Sequence, residues 1–310
     1  RDRLRSRGLG DVYKRQVVEC VRKIAGKEAD VFIHRVTKNN GIMLDGIVIM
    51  KNGSNFSPTI YLNSYYSMYL SGCEINDIAY KVYDIYKSCI GNVKIPEDFF
   101  MSFDRLRENI AFRVINYDRN RELLRSIPHR KFKNLAIVYF AVIDDIENER
   151  GIVTIYNNHI AHWNVSEDIL YSYAMKNTPR LYQAEIKPMN QVVSDMILKE
   201  SREENIDEMI AHVNRMNEEF PMYVLTNSYR SYGASCMLYE GLLMGFASHI
   251  EADLYIVPSS VHEVILIPVD DDITKDGLDE MVRSVNSTEL SKEEILSDSA
   301  YLFTRENGFE

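Results

Sequence analysis

The sequence predicts an α+β fold, in which antiparallel or mixed sheets in two groups have helices packed against them. Short apolar runs typical of strands occur in two separate groups along the chain, and helical periodicity accompanies each group. These strands and helices do not alternate regularly, which favours α+β over a doubly wound α/β sheet. A chain of 310 residues with 45% hydrophobic and 26% charged residues is also typical of a globular protein.

The first strand group is predicted to be a β-meander. Strands at 31–36 and 42–50 flank Asn40-Gly41, a pair that favours a tight hairpin because both residues tolerate positive φ. A third strand is predicted at 59–62. Three consecutive strands joined by short connections form an antiparallel sheet.

Helical spacing follows, and then a second set of strands. Six apolar residues share one helical face, namely Ile75, Ile78, Ala79, Val82, Tyr86 and Cys89. Another helix is predicted over 99–108, and strands are predicted at 111–115 and 152–156. Residues 135–143 are apolar along their whole length. Because such a strand is buried on both faces, 135–143 is the predicted central strand.

The C-terminal half is predicted to mix helices and strands. Ser166 is predicted to cap a helix that ends before Pro179, and apolar stripes predict helices over 189–197 and 206–216. The remaining predicted elements are strands at 222–226, 254–257 and 261–267, helices at 234–249 and 278–285, and a last short helix opened by Ser291 and Glu294.

These patterns divide the chain into three segments. Residues 1–16 hold six basic and two acidic residues, lack apolar periodicity and do not begin with Met, so we interpret them as an adapter-derived string that is not native. A basic nucleic-acid-binding arm is the alternative. Residues 17–165 are the predicted N-terminal α+β half and residues 166–310 the C-terminal α+β half, with one continuous domain as the alternative.

Composition excludes several classes of protein. A net charge of −10 argues against nucleic-acid binding, and no apolar run approaches the roughly 18 to 20 residues of a membrane span. The four cysteines lack paired spacing, which indicates reduced thiols and a cytoplasmic protein. Glycine-rich nucleotide-binding motifs and metalloprotease motifs are absent, and we predict no cofactor.

The strongest catalytic candidates are Ser260, His262 and Glu263, which place a hydroxyl, an imidazole and a carboxylate beside a predicted strand. In a strand, Ser260 and His262 share a face while Glu263 points to the other. A Ser–His pair of this kind suits nucleophilic catalysis. The alternative is a turn whose polar groups are hydrogen-bonded within the fold.

Weaker candidates suggest ligand or metal binding. Arg130 is suited to bind a carboxylate or phosphate, and Thr226 and Asn227 begin a polar loop whose backbone N–H groups suit an anion. His159 and His162 are three residues apart, so on a helix they lie on one side and suit a metal, although no third ligand is apparent. The alternatives are surface ion pairing, a strand-to-helix connection and a polar turn.

Several blocks together resemble a bacterial family of uncharacterised proteins, the domain-of-unknown-function family numbered 5688. The resemblance runs from about Val17 to Phe303 and rests on the blocks at 38–41, 44–46, 57–62, 127–130, 135–139, 177–179, 222–227, 233–234, 258–264 and 296–298. It implies one intracellular bacterial protein spanning both halves. It assigns no activity and no site residues.

The leading interpretation is a cytoplasmic protein that acts by binding a protein or small-molecule partner, with no role in nucleic-acid or membrane binding. An exposed surface at Tyr65, Tyr66 and Tyr69 is the expected sign of it. One alternative is a hydrolase centred on His262 with Ser260 or Glu263. Another is a metal-binding protein using His159 and His162. The sequence leaves open whether the chain is an enzyme.

Overall fold

The computed structural model describes residues 2–52, 57–91, 101–146, 149–200 and 206–310. Helices accompany three antiparallel sheets, so the predicted α+β class is confirmed. The chain divides into two compact units, one of residues 1–105 with 142–152 and the other of residues 106–141 with 153–310. The division that the sequence predicts at residue 165 is not one of these boundaries.

The first unit begins with a helix and a three-stranded sheet. Its elements are α1 (Asp2–Ala25), β1 (Ala29–Thr37), β2 (Met43–Lys51), β3 (Thr59–Tyr61), α2 (Asn63–Leu70) and α3 (Ile75–Gly91). The strands pair in the order β1-β2-β3, all antiparallel, which confirms the predicted meander. Asn40 and Gly41 have φ values of 57° and 72°, as expected for this residue pair in a tight turn.

The core of the first unit lies between α1, α3 and one face of the sheet. Tyr13 of α1 is only 1% exposed, and its ring lies 5.2 Å from Tyr66 and 5.1 Å from Tyr69. The helix runs through residue 16 without a break. Tyr65, Tyr66 and Tyr69 are half-buried against this core, so they do not form an exposed aromatic surface.

The remaining elements complete two further sheets. They are α4 (Phe103–Leu106), β4 (Ile110–Asn116), α5 (Arg121–Leu124), β5 (His129–Phe132), β6 (Leu135–Ile146), β7 (Glu149–Thr154), α6 (Asn157–Trp163), α7 (Glu167–Leu181), β8 (Ala184–Pro188), α8 (Met189–Glu200), α9 (Ile206–Glu219), β9 (Tyr223–Asn227), α10 (Leu242–His249), β10 (Leu254–Pro258), β11 (Val264–Pro268), α11 (Lys275–Thr288), β12 (Tyr301–Thr304) and β13 (Gly308–Phe309).

One of these sheets has the order β4-β6-β5, with β7 also paired to β6, and the other has the order β13-β12-β10-β11-β9-β8. Residues 135–143 of β6 are all buried, which confirms the predicted central strand. On the six-stranded sheet, α11 packs through Leu278 and Val282 against Val257 and Ile267. Helix α8 packs against β8 and β9.

Two side-chain hydroxyl groups accept hydrogen bonds from backbone N–H groups at the free edge of β4. The backbone N–H of Phe112 donates to Thr178 Oγ1 at 2.9 Å, and the N–H of Val114 donates to Ser235 Oγ at 3.1 Å. Both hydroxyl-bearing residues are 2% exposed. Buried N–H groups of an edge strand require such partners, because an unsatisfied buried donor is costly.

Helix α7 extends past Pro179 to Leu181, so the predicted end before Pro179 is wrong. Asn177 and Thr178 anchor this last turn: Asn177 Nδ2 donates to the carbonyl groups of Arg107 and Ile110, and Thr178 bonds β4. A proline near a helix end removes only one backbone hydrogen bond, which these contacts offset.

Three other predicted elements differ. The helix predicted over 234–249 is divided, because a 3-10 turn at Gly233–Leu238 is separated from α10 by Gly241, whose φ is 72°. The helix predicted over 99–108 is reduced to α4 and a 3-10 turn at Arg107–Asn109, with 99–100 outside the described residues. Ser291 Oγ donates to Glu294 at 2.9 Å in a turn, not a helix.

Candidate functional site

The structure brings four of the predicted site residues together where β9 ends and β11 begins. Thr226 and Asn227 are the last residues of β9, and Ser260 and His262 lie in the connection from β10 to β11. Thr226 Oγ1 donates a hydrogen bond to the backbone carbonyl of His262 at 2.8 Å. The adjacency follows from the antiparallel pairing of β9 with β11.

Asn227 organises the loop that follows β9. It is 2% exposed, its Oδ1 accepts from the N–H groups of Tyr229 at 3.1 Å and Ser231 at 3.3 Å, and its Nδ2 donates to the Ser231 carbonyl at 2.8 Å. Arg230 and Tyr232 adopt left-handed φ values of 50° and 53°, each costing roughly 1 kcal/mol for a non-glycine residue. Asn227 thus occupies loop N–H groups that the sequence assigned to an anion.

Ser260 and His262 are held mainly by backbone groups. Strand β11 begins at Val264, so 260–263 form a turn and the alternation argued from a strand does not apply. Ser260, 7% exposed, accepts the His262 backbone N–H on its Oγ at 3.0 Å. The Nδ1 atom of His262 accepts the Tyr232 N–H at 3.2 Å. The turn therefore fixes the imidazole against Tyr232, whose ring centroid is 5.6 Å away.

Arg113 of β4 joins this cluster, and the sequence analysis did not find it. Its guanidinium carbon lies 4.4 Å from the centroid of the Tyr232 ring and 5.8 Å from that of Phe140. The side chain is half-buried, and its Nε is enclosed with no hydrogen-bond partner among the described residues. Within the part of the chain that the structure describes, Arg113 makes no ion pair.

Other arginines contrast with Arg113 because they contact carboxylates. The pairs are Arg35 with Asp45, Arg119 with Asp298, Arg121 with Asp118, Arg125 with Glu122, Arg130 with Glu167 and Asp168, and Arg305 with Asp253. The signal that identifies Arg113 in the sequence is a charged residue inside the otherwise apolar run that opens β4, Ile110 to Ile115.

Glu263 and Thr226 line a groove of about 270 Å3 on the α8 side of the six-stranded sheet. Val192 and Met196 of α8 form its apolar wall, and Arg230 lies at the same groove. The side chain of Glu263 therefore faces a different set of groups from the His262 ring, which contacts Tyr232. The three predicted catalytic residues do not converge on one point.

Arg130 is occupied by acidic groups at the start of α7. Its Nη2 donates to Glu167 at 2.7 Å and to Asp168, and its guanidinium carbon lies 3.9 Å from the Tyr171 ring centroid. The hydrogen bond to Glu167 is the main cause of the raised pKa of Arg130. Burial, together with a hydrogen bond to Glu167, raises the pKa of Tyr139. This cluster joins β5 and β6 to α7.

His159 and His162 both lie on α6, as the spacing predicts for residues on one side of a helix. His159 Nδ1 accepts the N–H of Tyr156 at 3.2 Å, and its ring lies 5.6 Å from that of Trp163. Burial lowers the pKa of His159, and the charge of His162 lowers it further. Over the described residues, no group of three or more His, Cys, Asp or Glu side chains is placed to hold a metal ion.

Comparisons with known proteins identify a family whose function is unknown. Among the described residues, no helix has the length and apolar character needed to cross a membrane. Neither the search of curated proteins nor the search of solved structures finds a significant match. The profile of one family matches residues 11–305, which is nearly the whole chain. The chain therefore belongs to DUF5688, a family of unknown function.

Proposed function

We propose that this protein binds a small anionic ligand, one carrying a carboxylate or phosphate group, through the guanidinium group of Arg113. The observation that carries the proposal is a half-buried arginine that lies against Tyr232 and contacts no carboxylate of the described residues. The proposal places the protein in the bacterial cytoplasm, in keeping with four free cysteines.

The physical reason for the proposal is that no described residue supplies a counter-charge to Arg113. A partly buried cation loses hydration, and this cost persists unless an anion with matching hydrogen bonds compensates it. The planar guanidinium group presents five N–H donors, and two of them match the two oxygens of a carboxylate or phosphate. The chain has 46 acidic residues, yet no described one is paired with Arg113. We infer that a ligand supplies the compensating negative charge.

The residues around Arg113 restrict the orientation of its guanidinium group. Tyr232 lies under it, and the position of Tyr232 is set by its left-handed backbone and its N–H bond to His262. Stacking of this kind restricts the arginine to one plane, which lowers the entropy lost on binding. Binding is favoured over hydrolysis because Ser260 Oγ accepts the backbone N–H of His262, while the imidazole Nδ1 accepts the N–H of Tyr232, so the described residues show no Ser–His hydrogen bond.

The test compares ligand-dependent thermal stability in wild type and Arg113→Met. The probes are inorganic phosphate and benzoate, with sodium chloride at the same ionic strength as the reference. A ligand that binds only the folded state stabilises it by about 2.7 kcal/mol at 100 times its Kd. We expect a saturable rise in Tm for wild type that Arg113→Met abolishes. Arg215→Met, an exposed arginine of α9, is the matched control and keeps the response.

The ligand-free proteins provide a second readout. If a ligand normally supplies the counter-charge of Arg113, Arg113→Met should change the free energy of unfolding by no more than about 1 kcal/mol. The substitution removes an uncompensated cation and keeps a flexible side chain against Tyr232. Arg130→Met, which breaks contacts with Glu167, should destabilise more. The proposal is overturned if neither probe gives a saturable response, or if Arg113→Met responds as wild type does.

A further inference from the structure

Helices α8 and α9 pack against each other as a helical pair at the β8 edge of the six-stranded sheet. Asn190 Nδ2 of α8 donates to Asn214 Oδ1 of α9 at 2.9 Å, which fixes the two helices together. None of the described side chains of either helix is buried. By contrast, α11 buries Leu278 and Val282.

The exposed surface of the helical pair is rich in methionine. Large apolar side chains of α8, of α9 or next to them are between 40% and 61% exposed, namely Met196, Leu198, Met209, Met216 and Phe220, and of these Met209 and Met216 share one face of α9. Met209 and Met216 belong to the apolar stripe of α9, so this stripe is only partly covered by α8. Unbranched methionine side chains adapt to a partner's shape, and clusters of them are typical of protein-binding surfaces.

The charges around this surface are mainly acidic. Along α9, Glu208 and Glu219 are exposed beside the face that Met209 and Met216 share, whereas Asp207 and Glu218 are exposed on the opposite side of the helix. The one exposed cation of α9 is Arg215. On α8, the opposite charges of Asp195 and Lys199 cancel. An apolar methionine surface with an acidic border complements an amphipathic helix whose polar face is basic.

We propose that the helical pair α8–α9 binds a basic amphipathic helix of a partner protein. A second copy of this chain is disfavoured, because a symmetric contact would bring the acidic borders of two α9 helices together. An anionic membrane surface is disfavoured by the same charges. This surface involves α8 and α9, whereas Arg113 lies on β4, so the proposal is independent of the anion site.

The experiment titrates two labelled 18-residue amphipathic peptides, one of leucine and lysine and one of leucine and glutamate, into the full chain. We expect the lysine peptide alone to bind, with affinity falling as salt rises. In methyl NMR, the signals of Met196, Met209 and Met216 should shift. The double variant Met209→Gln/Met216→Gln should weaken binding about 10-fold, since it removes apolar contact area.

Two controls make the outcome decisive. Met281→Gln changes an equally exposed methionine on α11, 44% exposed, and should bind as wild type does. Arg113→Met should also bind normally, which separates failure of this proposal from failure of the anion site. The proposal is overturned if the glutamate peptide binds equally, or if the double variant keeps full affinity. Dimerisation in light scattering that the double variant abolishes would assign the surface to a second copy and overturn it as well.

Discussion

Gly233 offers the sharpest test of how the two loops of the candidate site fit together. A Cβ atom at this position would lie 2.3 Å from Thr226 Oγ1, 2.5 Å from the carbonyl oxygen of His262 and 2.7 Å from the backbone nitrogen of Asn227. Carbon atoms pack comfortably at about 3.5 Å or more. Because two of the three atoms are backbone, rotation of a side chain cannot relieve the clash, and the loops must move apart by about 1 Å.

We therefore expect Gly233→Ala to destabilise the fold by about 3 kcal/mol, at the upper end of overpacking effects. Part of this cost is the Thr226–His262 hydrogen bond, which a 1 Å displacement breaks and which contributes about 1 kcal/mol. The matched control is Gly245→Ala in α10, where nothing lies within 4 Å of the added carbon. Alanine in a helix should stabilise by about 0.5–1 kcal/mol.

The assay is urea unfolding of the full chain, followed by circular dichroism, with the midpoint and the slope fitted separately. Gly233→Ala should lower the midpoint with little change in slope, while Gly245→Ala should raise it slightly. Equal stability of the two variants would refute the close approach of the His262 turn to the end of β9.

Two further predictions concern buried and paired polar groups. Thr178→Val should cost about 2 kcal/mol in denaturant unfolding, because it leaves the N–H of Phe112 unpaired; Thr178→Ser keeps the acceptor, and a loss as large in that variant would contradict this reason. Burial alone would raise the pKa of Asp298, but hydrogen bonds from Arg119 and Asn286 bring it below 3.8. Its contribution, about 1 kcal/mol for a partly exposed group, is therefore present above the unfolded pKa and lost as pH falls through the folded value. Asp298→Asn should show a stability deficit at pH 6 that narrows toward pH 3, and a deficit independent of pH would contradict the ion pair.

The fold class was predictable because local patterns and tertiary structure agree for most elements. The apolar run at 135–143 can be satisfied only by burial on both faces, and the Asn40-Gly41 pair allows few turns. The strands β5, β8, β12 and β13 were missed because each is short and its pairing depends on residues outside the strand itself. Long-range partners of this kind leave no local periodicity.

The candidate site was only partly predictable, since residue types indicate polar chemistry but not the partner of each atom. Thr226, Asn227, Ser260 and His262 lie together in the structure, whereas the sequence suggested two separate candidate sites. Their hydrogen bonds go largely to backbone groups of each other's loops, which no spacing in the sequence specifies. Buried side chains commonly bond to backbone in this way, so a polar cluster by itself supports a structural role as readily as a catalytic one.

Arg113 and Tyr232 differ from these four residues, because each carries a local free-energy cost that no contact among the described residues offsets. Tyr232 keeps a left-handed backbone that a glycine would adopt without strain, and Arg113 keeps a half-buried charge that an acidic neighbour would neutralise. These two unfavourable features are in contact, with the guanidinium carbon 4.4 Å from the ring centroid. Unfavourable features concentrate where function requires them. The proposed ligand would supply a negative charge that no described residue gives Arg113, and this would account for both the arginine and the ring that positions it.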